Sequence, residues 1–209
     1  NGTKVETTYT PTVTPVKPTG EDVTTSGKQG QPQTSKSGKD RFSELNNTDN
    51  TLDGTNVDWT TAAYSLEGAN AEGKVVVDGE GTYTIDPTTG VVTFEPLPTF
   101  TGKAKGVNVQ VSVTATDSEG NKVPVTSKGK YTPEVTAVTP TGTPVTSEGK
   151  QGQPQTGKPT FTEGNTEVPI KENSVKLLNP DGTEATGPVD ALDEKGNKVG
   201  EYTVNPATG

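Results

Sequence analysis

The stretch GVNVQVSVTATD, residues 106–117, alternates apolar and polar side chains without a break. Its small apolar residues occupy every second position: Val107, Val109, Val111, Val113 and Ala115. Successive side chains of a β-strand point to opposite faces, so this alternation predicts a long strand with one buried face. A disordered chain has no reason to keep such a period, and the stretch therefore indicates a folded β-protein.

A hairpin is predicted upstream of this strand. Tyr83 and Ile85 alternate with threonines, DPTTG at residues 86–90 supplies turn-forming residues, and Val92 and Phe94 resume the apolar pattern. Pro and Gly interrupt every candidate helical window. Short strands, regular turns and Thr-rich outer faces predict an all-β fold, which we interpret as a β-sandwich of Ig-like type.

The composition excludes several classes of function. The chain carries 27 acidic against 18 basic residues, a net charge of −9, and it has no Cys and no His. A basic footprint for phosphate backbones is missing, which excludes nucleic acid as a partner, and no apolar run is long enough for membrane insertion. Thiol nucleophiles, histidine bases and Cys or His metal sites are excluded too. We expect no enzymatic activity, no cofactor and no metal.

Internal repetition sets the domain organisation. GKQGQPQT occurs at residues 27–34 and again at 149–156, an offset of 122, and residues 9–26 align with 131–148 at the same offset. GTYTIDPTTG at 81–90 matches GEYTVNPATG at 200–209. A period of this length is that of an independent domain. We predict the end of one module in residues 1–25, a complete module in 26–147 and the first half of another in 148–209.

The repeated octapeptide is predicted to be a structural junction between modules. It follows segments rich in proline, which predict short, stiff connectors: Pro11, Pro15 and Pro18, then Pro133, Pro140 and Pro144. Its glycines permit positive φ or close backbone approach, and its proline removes a donor from an exposed edge. The junction residues are Gly27, Gln29, Gly30, Pro32, Gly149, Gln151, Gly152 and Pro154. A ligand-contacting loop is the alternative, since repeated identity also suits a repeated binding site.

Acidic and amide side chains suggest three further chemistries, each of which has a simpler explanation. Glu21-Asp22 and Asp117 with Glu119 offer oxygen ligands for calcium, and Asp193-Glu194 offers a carboxylate pair for acid–base catalysis. Lys28, Lys150 and Asn121 are candidates for an isopeptide crosslink. All lie in polar segments, where we interpret them as solvated side chains.

Several motifs in tandem carry a family resemblance. The GKQGQPQT stretch, the YTIDPTTG and YTVNPATG hairpins, the VVTFEPLPTFTG segment and the VNVQVSVTATDSEGNKV run resemble the CshA-type fibril repeats of streptococcal cell-surface adhesins. The resemblance implies a long fibril, anchored to the cell wall of a Gram-positive bacterium and extracellular. It also implies that such repeats form the stalk while a separate region binds host ligands such as fibronectin. The family repeat is usually shorter, and we assign the excess to an elaborated loop over residues 40–61, with the lone Trp59.

Two functions follow from this interpretation. The first is a structural stalk repeat that projects a distal ligand-binding region from the cell wall. The alternative is that the repeats themselves are adhesive modules for host matrix or other bacterial surfaces. As partners we expect neighbouring repeats of the same chain, and host matrix proteins through other regions of the parent protein. The chain itself is expected to be monomeric.

Overall fold

The computed structural model describes residues 2–11, 19–43, 57–117 and 119–209 of the chain. The chain divides into two compact units, Asn1–Ala137 and Val138–Gly209. Strands take up 42% of the residues and helix only 2%, which confirms the predicted all-β class.

The first unit contains, among its described residues, eleven strands and one short helix. In chain order they are β1 Thr19–Gly20, β2 Val23–Lys28, β3 Gln33–Thr34, α1 Gly38–Arg41, β4 Phe42–Ser43, β5 Val57–Leu66, β6 Lys74–Val77, β7 Gly81–Ile85, β8 Val92–Pro96, β9 Gly102–Lys103, β10 Val107–Thr116 and β11 Lys122–Thr136. The second unit adds β12 Thr141–Thr143, β13 Thr160–Thr162, β14 Val189–Leu192 and β15 Lys198–Tyr202.

A five-stranded sheet contains the strand predicted from the alternating stretch. Its order is β2-β11-β10-β5, with β9 also paired to β11. Along β10 every second side chain is buried, as the alternation predicts, and Val109 and Val111 are fully inaccessible. Strand β11 runs antiparallel to β10 but parallel to β2, so the first and last long strands of the unit are neighbours.

A second sheet of four strands has the order β3-β8-β7-β6. The predicted hairpin is confirmed as β7 and β8, in which Tyr83 lies opposite Phe94 and their rings stack at 4.5 Å. The Asp86 side chain accepts a hydrogen bond from the Thr88 amide at 2.8 Å, and Gly90 adopts a φ of 70° to close the turn. Pro and Gly in this segment therefore have the turn roles that the sequence indicates.

Both sheets contribute side chains to one hydrophobic core. Tyr83 of the four-stranded sheet meets Tyr131 of the five-stranded sheet edge to face, with ring centroids 6.3 Å apart. Both rings are fully buried, together with the valines of β10 and Phe94. Burial of such large aromatic side chains stabilises each by about 1.5–3 kcal/mol, so this contact is a major part of what holds the two sheets together.

One proline of the predicted connector lies inside a strand instead. Pro133 was assigned to that connector, but it lies inside β11, opposite Thr25 of β2, and is fully buried. The physical reason is the end of β10: its Val107 pairs with Tyr131, so no β10 residue needs an N–H from Pro133. The Pro133 carbonyl instead accepts from the Ala104 amide at 3.0 Å.

The predicted elaborated loop over residues 40–61 is structured at both ends. Its start belongs to α1, which the sequence analysis missed; Ser37 caps this helix by accepting a hydrogen bond from the Asp40 amide. Its end belongs to β5, where Trp59 packs half-buried against the core. Residues 44–56 lie outside the described part of the chain.

The second unit has strand pairs but no buried core. Strands β12 and β13 form one antiparallel ribbon, and β14 and β15 form another. The Gly182 amide donates to the Asn179 carbonyl to close a turn over residues 179–182, but the flanks of this turn near Leu178 and Glu184 meet only in an isolated bridge. Tyr202, the counterpart of buried Tyr83, is 60% exposed, because residues 138–209 hold no counterpart of β8 or β11 to cover it.

Candidate functional site

The octapeptide GKQGQPQT of the first unit connects the two sheets. It begins at the end of β2 in the five-stranded sheet and ends in β3 of the four-stranded sheet. The Gln31 amide donates to the Lys28 carbonyl at 3.0 Å, and Gly30 has a φ of 77°, which a side chain would strain. Pro32 is exposed and directly precedes β3. The stretch thus lies inside the unit, and its predicted role between modules stays a prediction.

Gln33 is the buried centre of this stretch, with only 6% of its surface exposed. Its Oε1 accepts a hydrogen bond of 2.6 Å from the Thr25 hydroxyl of β2. Its Nε2 donates to the Glu134 carbonyl of β11 at 3.0 Å. Both ends of the amide are therefore satisfied, as a buried polar group requires.

Gly27 makes room for this glutamine. A Cβ at residue 27 would lie 2.8 Å from the Cγ and Cδ atoms of Gln33, closer than real Cβ contacts come. Any larger residue would push Gln33 away from Thr25 and from β11. Positive φ and close backbone approach were the two alternatives for the octapeptide glycines, and at Gly27 the group in close approach is the Gln33 side chain.

Two further contacts join the octapeptide to the end of β11. The Gln29 amide donates to the Thr136 carbonyl at 2.8 Å, and the Thr136 hydroxyl donates to the Gly27 carbonyl at 3.1 Å. The Gln29 side chain also donates to the Pro98 carbonyl at 2.7 Å. The octapeptide therefore holds the last strand of the unit from both its backbone and its side chains.

Tyr131 completes the group of contacts. Its hydroxyl shares a hydrogen bond of 2.8 Å with the Thr25 hydroxyl, and the residue is fully buried. Burial raises the pKa of the Tyr131 phenol, so it stays protonated and able to donate. We call Thr25, Gly27, Gln29, Gln33 and Tyr131 the β2–β11 clasp.

The second unit repeats one half of the clasp. The Ser147 hydroxyl donates to Gln155 Oε1 at 2.8 Å, and a Cβ at Gly149 would lie 2.9 Å from the Gln155 Cγ. Gly152 has a φ of 76°, and the Gln153 amide bonds to the Lys150 carbonyl at 3.1 Å. These are the contacts of the first copy, although Gln151 and Pro154 and the rest of the stretch are exposed. The turn is therefore encoded locally by the octapeptide and the hydroxyl before it.

An N-terminal ribbon is the second feature common to both units. Gly20 of β1 pairs with Phe42 of β4, and Gly142 of β12 pairs with Phe161 of β13. Gly20 is tightly packed against β11, because a Cβ at this residue would lie 2.0 Å from the Lys128 carbonyl oxygen. In both units the segment before the octapeptide therefore pairs with a strand of the same unit that follows the octapeptide.

Arg41 directly precedes β4 of this ribbon in the first unit, and the sequence pattern did not predict its burial. It is buried, its Nε donates to the Glu21 carbonyl at 3.3 Å, and its carbonyl accepts from the Glu21 amide at 2.9 Å. Burial lowers the pKa of its guanidinium, opposed by the charge of Asp22 and then of Tyr131 and Glu21. Its two terminal nitrogens have no hydrogen-bond partner among the described residues.

Two of the acidic candidates, Asp117 and Asp193, stabilise the turns that contain them, whereas Asp22 accepts a hydrogen bond from the Lys130 amide and Glu21 pairs with Lys36. Asp117 accepts from the Asn121 amide at 2.8 Å, and Asp193 accepts from the Asn197 amide at 2.8 Å. Hydrogen bonds from Asn121 and Asn197 hold the pKa of these two carboxyls below the usual range. The described residues contain no group of three or more acidic side chains placed to hold a metal ion.

These features define a tandem all-β repeat whose recurring parts are structural contacts. The chain belongs to the family of the surface adhesin CshA repetitive domain, whose model matches residues 15–135 and 137–209. The two matched segments begin 122 residues apart, which is the offset of the octapeptides. A search of the curated proteins found no match.

Family membership implies an extracellular location at the cell surface and a structural, non-enzymatic kind of domain. Within the described ranges, no helix has the length and apolar character to cross a membrane. The predicted module boundaries after residues 25 and 147 are 122 residues apart, like the starts of the two family matches at residues 15 and 137. The boundaries themselves lie elsewhere, and the first falls inside β2. Repetition fixes the period of a tandem array and leaves its phase open, so those limits stay a prediction.

Proposed function

We propose that this chain is part of the stalk of an adhesin anchored to the cell wall of a Gram-positive bacterium. Tandem β-sandwich modules of Ig-like type, joined by short Pro-rich connectors, hold a distal ligand-binding region away from the wall. Their partners are neighbouring repeats, and host matrix proteins bind through other regions of the parent protein. The observation that carries the proposal is a set of internal contacts around Gln33 that recurs around Gln155.

Several of the shared residues make contacts inside the unit. Gln33 accepts a hydrogen bond from Thr25, and its side chain leaves no space for a Cβ at Gly27. Gln155 has the same contacts with Ser147 and Gly149. A module repeated for avidity gains only if each copy presents the same exposed contacts. Repetition of internal contacts instead fits a part selected for fold and length.

The exposed surface also fits a spacer. Among the described residues from 19 to 137, the exposed large hydrophobic residues are Val76 and Leu97, which are aliphatic and do not form an aromatic patch. Binding surfaces are usually built around aromatic and arginine side chains in a packed patch. The net charge of −9 keeps such a chain soluble and discourages association.

Surface plasmon resonance on the full chain tests the proposal. With fibronectin and collagen as probes at micromolar concentration and physiological salt, we expect no saturable binding, and light scattering should give a monomer. Saturable binding that disappears when residues 44–56, between β4 and β5, are replaced by a short glycine–serine loop would identify the repeats as adhesive modules. Replacement of residues 179–182 is the matched control, because it alters a surface turn elsewhere.

A further inference from the structure

We infer that the parallel pairing of β2 with β11 lets the first unit resist tension along the chain, and that the repeated octapeptide locks this pair. The inference rests on the proposed stalk function, since a stalk transmits force between the cell and the surface to which its tip is attached. The β2–β11 clasp would then have a mechanical role, which a spacer that bears no load does not require.

The parallel direction of β2 and β11 determines how tension acts on the bonds between them. Strand β2 is the first long strand and β11 the last, and they pair in parallel from Val23 opposite Tyr131 to Lys28 opposite Thr136. Tension pulls the start of β2 one way and the end of β11 the other way. The two strands are then sheared along their length, so the hydrogen bonds between them are loaded together. An antiparallel pair pulled at one end would open one bond at a time.

The clasp adds side-chain bonds across the sliding interface. Thr25 bonds to Tyr131 at 2.8 Å, and Gln33 bonds to the Glu134 carbonyl at 3.0 Å. A slip of one residue, about 3.3 Å, would break both bonds at once. Because Gln33 belongs to β3, the second bond also ties the four-stranded sheet to β11 and spreads the load over both sheets.

The second unit contains a matching serine–glutamine contact, although its counterpart of β2 is unpaired among the described residues. Ser147 and Gln155 are already joined at 2.8 Å, and residues 145–150, the counterpart of β2, pair with no strand among the described residues. The octapeptide thus presents a prepared half of the clasp. This accounts for the recurrence of Gly27 and Gln33 as Gly149 and Gln155.

Force spectroscopy on the full chain tests the inference. With handles at the two chain termini, we expect the first unit to open in one step, releasing about 400 Å for the segment from Val23 to Thr136 at ~3.5 Å per residue. The chain has no Cys, so Lys28→Cys supplies a unique handle at the exposed end of β2. Pulling between residue 28 and the C-terminus loads the pair from one end, and the unfolding force should fall clearly.

Variants separate the clasp from the rest of the fold. Thr25→Val should raise the forced unfolding rate at least about fivefold, since it removes the hydrogen bonds of Thr25 to both Gln33 and Tyr131. Thr24→Val, at the exposed neighbouring position on β2, is the matched control and should leave the rate unchanged. Equal forces in the two pulling geometries, or equal rates for the two variants, would overturn the inference.

The two proposals fail in different experiments. A chain that binds no matrix protein but opens at the same force in both geometries would remain a stalk without a mechanical clasp. A chain that binds fibronectin saturably yet shows the expected dependence on geometry would be an adhesive module that withstands force.

Discussion

Thr25 donates a hydrogen bond of 2.6 Å to the side-chain oxygen of Gln33, across the passage from one sheet to the other. In the second unit Ser147 and Gln155 stand in the same relation at 2.8 Å. Ser and Thr share only the hydroxyl, so the hydroxyl is what this position needs. The repeated octapeptide and the residue two places before it therefore specify one contact, which in the first unit extends to the last strand.

The core of the five-stranded sheet gives the first prediction. Val111 is fully buried on β10, whereas its neighbour Gln110 is half-buried on the opposite face. Val111→Asp should destabilise the first unit by about 3 kcal/mol or more, because it buries an unpaired charge. Gln110→Asp, the control on the same strand, should cost less than ~1 kcal/mol. Thermal unfolding measures both, and similar shifts would contradict the assigned strand register.

The clasp gives the second prediction, at equilibrium rather than under force. Thr25→Val leaves Gln33 Oε1 and the Tyr131 hydroxyl without a protein partner, and should cost about 1–2 kcal/mol in the free energy of unfolding. Gln33→Ala should cost a similar amount, and the double variant should cost less than the sum by ~1 kcal/mol, since the two residues are coupled. Strict additivity in urea unfolding would show that the hydrogen bond contributes nothing.

Asp117 gives a prediction about pH. Its folded-state pKa lies below the ordinary value because the Asn121 amide and side chain donate to it. The stabilisation is therefore present above pH ~4, where the unfolded carboxyl is also ionised, and it is lost as pH falls through the folded-state pKa.

The melting temperature should accordingly drop more steeply below pH ~4 for the native chain than for Asp117→Asn, which cannot titrate. Glu95→Gln is the control, since this exposed carboxylate receives no hydrogen bond from the described residues. Parallel curves for the native chain and Asp117→Asn would contradict the prediction.

Arg41 gives a prediction about a buried charge. Two of its guanidinium nitrogens are buried without a partner among the described residues. Arg41→Met keeps most of the side-chain volume and removes the desolvated charge, so the melting temperature should stay equal or rise. Arg41→Ala removes the volume as well and should lower it by creating a cavity. A large loss of stability in Arg41→Met would mean that the guanidinium contributes through its charge.

The two units should differ in resistance to proteolysis. Among the described residues, the seventeen buried hydrophobic side chains all lie before Val138, and none lies in residues 138–209. Limited proteolysis followed by mass spectrometry should therefore trim the chain after about Glu148 and spare the strands of the first unit. Cleavage at equal rates in both units would contradict this, and the denatured chain is the control for intrinsic cleavage preference.

Local patterns made parts of the fold predictable. The alternation in residues 106–117 identified β10 because burial of one face of a strand imposes a period of two. The Asp86 to Gly90 turn was found because its residues have intrinsic turn geometry. The close approach at Gly27 was also anticipated, since only glycine leaves such space.

The pairing of distant strands was not predictable from the sequence. Val23 and Tyr131 are opposite each other in the sheet but lie far apart in the chain, and no local pattern connects them. Pro133 was misread as a connector residue because its lack of a donor matters only where a partner strand is present, and β10 has ended there. The repeats gave the period of the array, but its phase depends on these long-range pairs.

The short connector after β11 protects a tandem array against misassembly. Residues 145–150 nearly repeat the sequence of β2 and offer β11 an alternative partner close by in the chain. Parallel strands, however, need a crossover of about a dozen residues or more. Strand β11 ends at Thr136 and this competitor begins at Val145, so the intervening segment is too short to bring the two into parallel register. Strand β11 therefore cannot pair in parallel with the copy of β2 that directly follows it, which removes this one route of misassembly as the chain folds.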